Sequence, residues 1–74
     1  MTVIHAKARH IKIAIRRLPE GVYLATSDDV PGLTVEAETR GDAQRISAEV
    51  ALDLLEAEFG APVLPRPNFS FQFL

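Results

Sequence analysis

The residues predict an α+β fold: a three-stranded antiparallel meander, one helix packed on the sheet and a fourth C-terminal strand, in the order β-β-β-α-β, with the strands arranged 3-2-1-4. Three features carry this expectation. Short runs alternate apolar and polar side chains with period two and are separated by turn residues. One long stretch bounded by Thr39 and Gly60 has a helical pattern, and Asn68 to Leu74 alternates phenylalanine with polar residues.

In the first strand Ile11, Ile13 and Ile15 alternate with Lys12, Ala14 and Arg16, which puts the isoleucines on one buried face. Pro19-Glu20-Gly21 turns the chain. Val22, Leu24 and Thr26 then alternate with Tyr23, Ala25 and Ser27, and so short a connection makes this second strand antiparallel to the first. Within the loop Asp28 to Gly32, Pro31 presets φ for one turn position and Gly32 takes the positive φ of the next, the chemistry of a type II turn. Leu33, Val35 and Ala37, alternating with Thr34, Glu36 and Glu38, complete the meander.

Thr39 and Asp42 have the spacing of a capping box, with aspartate in place of the usual glutamate, and Gly60 and Pro62 mark a helix end. The helix is expected from Arg40 to Phe59. Around it, Asp42, Arg45, Glu49, Asp53 and Glu56 fall into one narrow stripe, with Arg45 and Glu49 also spaced as an ion pair. Ala43, Ile46, Val50, Leu54 and Ala57 form the face assigned to the sheet. Ala48, Ala51, Leu52, Leu55 and Phe59 extend the apolar arc past the roughly 100° that a surface helix normally shows.

Three prolines between Gly60 and Pro67 exclude regular structure there. In the last strand Phe69, Phe71 and Phe73 point one way and Ser70 and Gln72 the other. A right-handed crossover through the helix brings this strand parallel to the first.

One domain over residues 1–74 is expected, because the chain sits near the lower limit, roughly 70–80 residues, at which a single core sustains itself. No cysteine supplies a staple, and His5 and His10 stand without thiols or clustered carboxylates, so no metal site is expected. Self-association, as a dimer or tetramer, is the remaining remedy, and the 47% apolar content agrees with it. No apolar run approaches the roughly 18 residues of a membrane span, and Met1 to Ile4 followed by His5 and basic residues is no secretory signal. A cytoplasmic protein is expected.

The net charge of −2 hides a segregation. Lys7, Arg9, Lys12, Arg16 and Arg17 precede every acid, whereas Glu20 to Glu58 holds all ten acids against only Arg40 and Arg45. Such a basic arm can be a nucleic-acid footprint. The plainer reading places it on an outer strand, where cations discourage edge-to-edge aggregation.

Gly21 to Leu33, with the run Ala25-Thr-Ser-Asp-Asp-Val-Pro-Gly-Leu33, and then Glu38-Thr39 and Asp42-Ala43 resemble the HicB-like antitoxin superfamily, in particular a short stand-alone branch of it. The resemblance runs from about Ile11 to Glu56. It implies a partial ribonuclease-H-like fold without nuclease activity, whose longer members neutralise the HicA ribonuclease toxin by covering it. Those members carry a ribbon-helix-helix or helix-turn-helix segment after this domain; with the chain stopping at Leu74, no DNA-binding segment is expected.

Candidates for chemistry yield to simpler roles. Asp28 and Asp29 are adjacent carboxylates that diverge in an extended loop, and aspartate before Pro-Gly bonds its own backbone. Ser27 has no local base, the glycines form no phosphate loop, and Tyr23 in a strand reads as half-buried packing rather than a platform for a base. No catalytic residue, cofactor or metal is expected, and the protein is not read as an enzyme. The function expected is a binding module of HicB-like antitoxin type that neutralises a small basic HicA-type toxin. Self-association is assigned to Leu52, Leu55, Phe59, Phe69, Phe71 and Phe73, and partner binding to Asp42, Glu49, Asp53 and Glu56. The alternatives are a self-assembling interaction domain without a toxin, or a weak nucleic-acid binder using the basic N-terminal strand.

Overall fold

In the computed structural model, which describes residues 9–74, the five expected elements are present. They are β1 (His10–Arg17), β2 (Tyr23–Thr26), β3 (Thr34–Ala37), α1 (Arg40–Phe59) and β4 (Asn68–Phe73). One mixed sheet is ordered β3-β2-β1-β4, with β1 antiparallel to β2 and parallel to β4, as expected. His5 and Lys7, singled out in the sequence, lie outside the described residues.

Local chemistry explains the turns. Leu18 closes the β1–β2 hairpin, donating its N–H to the Val22 carbonyl at 2.8 Å and accepting from Gly21 N–H at 2.9 Å. Leu33 N–H reaches the Val30 carbonyl at 3.1 Å across Pro31-Gly32, and Gly32 has φ +88°, the left-handed position that a type II turn requires. Thr39 Oγ1 accepts the Asp42 N–H at 3.1 Å and starts α1. The second half of the expected box is not made among the described residues: the Asp42 carboxylate turns instead to Arg45, 3.5 Å away. At the other end Gly60, at φ 68°, gives its N–H to the Glu56 carbonyl at 2.8 Å and stops the helix.

The core lies between one sheet face and α1. Ile11, Ile13 and Ile15 supply its centre, Ala25 and Val35 extend it across the sheet, Val30 and Leu33 close it from the turn, and Ala43, Ala51 and Leu55 descend from the helix. The alternation puts the isoleucines of β1 on the buried face, as observed; in β2, where the sequence reading assigns no buried set, it is Ala25 that is buried.

The helix face needs a correction. The seam against the sheet runs through Ala43, Ser47, Ala51 and Leu55, not through Ile46, Val50, Leu54 and Ala57. Leu55 is only 2% exposed, whereas Leu54 is 37% exposed and Ala57 is exposed. The cause is size. Ala43, Ser47 and Ala51 recur every fourth residue with little beyond Cβ, so the helix backbone settles close to the sheet along that line, and Ile46 and Val50 flank it half-buried. Ser47 is tolerated in the seam because its hydroxyl donates to the Gln44 carbonyl at 3.1 Å.

The basic strand also differs from its plainer reading. β1 is not an outer strand but lies between β2 and β4, and Lys12 and Arg16 project from the sheet face opposite the helix, whereas Arg17 has the parity of Ile11, Ile13 and Ile15.

Candidate partner-binding surfaces

The acidic stripe stands on the solvent side of α1. Asp42, Glu49 and Asp53 are exposed and Glu56 is half-buried, because the apolar residues turned toward the sheet leave these positions outward. Arg45 lies between them, 3.5 Å from Asp42 and 3.7 Å from Glu49, with all three side chains more than half exposed. Such pairs add little to stability. Their effect is to tie up part of two carboxylates, so Asp53 and Glu56, without an ion pair among the described residues, carry the free negative field of the stripe.

The residues assigned to self-association divide into three groups. Leu55 belongs to the monomer core, which removes it from any interface; the size-driven rotation of the helix seam is the reason. Leu52 is half-buried, and Phe69 and Phe71 are half-buried against the core. Phe59 and Phe73 are 56% and 45% exposed, each beneath a cation: the Arg9 guanidinium is 5.7 Å from the Phe59 ring, and that of Arg40 is 5.3 Å from Phe73 and 5.8 Å from Tyr23. Tyr23 is thus half-buried packing capped by Arg40.

β4 is an edge strand with a distinctive backbone. Ile11, Ile13 and Ile15 register with Phe69, Phe71 and Phe73, so the three rings share the helix side of the sheet. The helix lies over β3 and β2 and reaches β1, and it meets β4 through the Arg40 guanidinium over Phe73. Asn68 N–H donates to the Arg9 carbonyl at 2.8 Å and Leu74 N–H to the Ile15 carbonyl at 2.9 Å, which turns the even-numbered residues toward β1. In a parallel ladder the odd-numbered ones then face away. The N–H and C=O groups of Phe69, Phe71 and Phe73 therefore line the free edge. Composition alone could not show this; it depends on which neighbour β4 chooses.

The third surface is the sheet face opposite the helix. An open groove of about 610 Å3 there is bordered by Lys12, Arg16, Thr26, Asp28, Ser70 and Gln72, among others. Beside it the Ser27 hydroxyl donates to the Lys12 carbonyl and accepts the Asp29 N–H at 3.1 Å, while the Asp29 carboxylate accepts the Lys12 N–H at 2.8 Å. His10 Nε2 meets Ser70 Oγ at 2.9 Å. Ser27, Asp29 and His10 are therefore engaged in structural bonds. Among the described residues no group of three His, Asp or Glu side chains is placed to hold a metal ion, and no helix is long and apolar enough to cross a membrane.

Neither a curated protein nor a solved structure matches the chain. A family model does match, over residues 11–69, from the first core isoleucine of β1 to the first phenylalanine of β4. With most of its fold inside that match, the chain belongs to the family described as a domain of unknown function, DUF1902.

Proposed function

We propose that this chain is a non-enzymatic binding module of HicB-like antitoxin type, which self-associates and neutralises a small basic HicA-type ribonuclease toxin. The observation that carries the reading is the helix stripe of Asp42, Glu49, Asp53 and Glu56, which stands on the solvent side of α1 with one cation among four carboxylates. A surface of one sign steers an oppositely charged partner and raises its association rate. The resemblance of Ala25 to Leu33 to the HicB-like pattern supports the same reading, and the three backbone-directed bonds made by Ser27 and Asp29 give those residues of the loop a structural role. The free edge of β4 supports the self-association, and it also supports the second reading, a self-assembling interaction domain without a toxin.

The reading is tested by looking for a HicA-type frame beside the one that encodes this chain and purifying its product. Calorimetric titration should show saturable binding, and RNA cleavage by the toxin should fall in proportion to the complex formed. The Glu49→Lys/Asp53→Lys variant should bind more weakly, with the loss shrinking as salt rises. A flanking HicA-type frame whose product neither binds nor is inhibited, or the absence of such a frame, would leave the second reading in place of the first.

A further inference from the structure

We propose that two copies of the chain pair through β4, antiparallel about a two-fold axis at Phe71, to form a continuous eight-stranded sheet. The inference rests on the self-association in the reading above and is independent of the toxin.

The free edge is self-complementary. With Phe71 opposite Phe71 of the second copy, Phe69 falls opposite Phe73, Ser70 opposite Gln72 and Asn68 opposite Leu74. The residues facing one another at Phe71 and at Phe69–Phe73 are those whose N–H and C=O groups point outward, so each of these pairs exchanges two backbone hydrogen bonds. Between them, Ser70 and Gln72 face each other across the junction on the open side of the sheet and can bond through their side chains. A register shifted by one residue would set each outward-facing residue opposite an inward-bonded one and lose this ladder.

The two edges of the sheet are not alike. β3 has only four residues, with Glu36 within it and Glu38 just after, so copies pairing there would set carboxylates together. β4 has six residues and no charge or proline. Natural sheets normally blunt such an edge, and among the described residues nothing pairs with this one. The axis stands perpendicular to the sheet, so both helices fall on one side with the phenylalanine rows of the two copies between them, beside the Arg40 guanidinium that lies over Phe73. Phe73, 45% exposed in the single chain, and Leu74, 60% exposed, would be covered. The edge is about 20 Å long, and with rings of this size the contact covers on the order of 1,000 Å2 in total, the lower bound for a specific interface. A reversible dimer is the expected form.

The test places charges on Ser70 and Gln72, which lie on the open face away from the core. Light scattering after size exclusion, over a micromolar concentration series, should find the unaltered chain as a dimer. Ser70→Lys/Gln72→Lys and Ser70→Glu/Gln72→Glu each set like charges opposite one another, and each should weaken dimerisation about tenfold or more with an unchanged circular dichroism spectrum. Mixing the two variants should restore the dimer, since the ammonium groups of one variant then face the carboxylates of the other across the junction. A monomeric unaltered chain would remove both the self-association and this interface. A dimer that persists in both variants, a mixture that stays monomeric, or open-ended polymers would overturn the β4 pairing while leaving self-association standing.

Discussion

Asp29 and Asp28 are chemically identical neighbours with different work. Beyond its pairing with β2, β1 would leave the N–H and C=O of Lys12 without a strand partner; Asp29 takes the first and Ser27 the second. Two side chains thus carry the ladder one step past the end of β2. Asp28 makes no hydrogen bond among the described residues. Asp29→Ala should therefore lower stability in urea unfolding by about 1–2 kcal/mol, with Asp28→Ala within about 0.5 kcal/mol of the unaltered chain. Equal effects would show that the loop is held by something other than the Lys12 backbone. The sequence makes aspartate reasonable in this turn, but it does not distinguish the two: the Asp29 partner is a backbone group 17 positions away, visible only once β1 and the loop lie side by side.

At the scale of the element, α1 sets the limit of what periodicity reveals. Its first and last residues follow from Thr39 and Gly60, and the structure places both ends where the caps put them. Its rotation does not follow, because hydropathy favours Ile46, Val50 and Leu54 whereas close approach favours Ala43, Ser47 and Ala51, and close approach wins. Leu55 should accordingly behave as a core residue: Leu55→Ala should cost about 2–5 kcal/mol of unfolding free energy, read by thermal or urea melts, without a separate change in association. Ala51→Leu should also destabilise, by about 1–3 kcal/mol, because the seam has no room for added methylenes. Neutral behaviour at both positions would restore the face through Leu54. The strands were easier to read, since a period of two leaves only two faces to choose between and the isoleucines of β1 decide it.

For the whole molecule, the sheet order sets the acidic stripe of α1 and the cations Lys12 and Arg16 on opposite sides, with Asp28 beside those cations. The acidic stripe lies outside α1, and Lys12 and Arg16 project from the far face of the sheet, with the core between them. A total of −2 does not reveal this arrangement, because it exists only after β1 has been placed inside the sheet and α1 above it. The two faces should consequently select different partners, and charge reversal separates them. Glu49→Lys/Asp53→Lys should weaken capture of a basic toxin, whereas Lys12→Glu/Arg16→Glu should leave that capture unchanged at equal salt. The same pair of variants examines the nucleic-acid alternative. Should the chain bind RNA or DNA in a fluorescence-anisotropy titration, Lys12→Glu/Arg16→Glu should abolish the binding and the logarithm of affinity should fall with the logarithm of salt concentration, as release of counterions from phosphates requires. Toxin capture lost through Lys12 and Arg16, and kept after reversal of Glu49 and Asp53, would move the partner to the open sheet face and overturn the acidic stripe as its site.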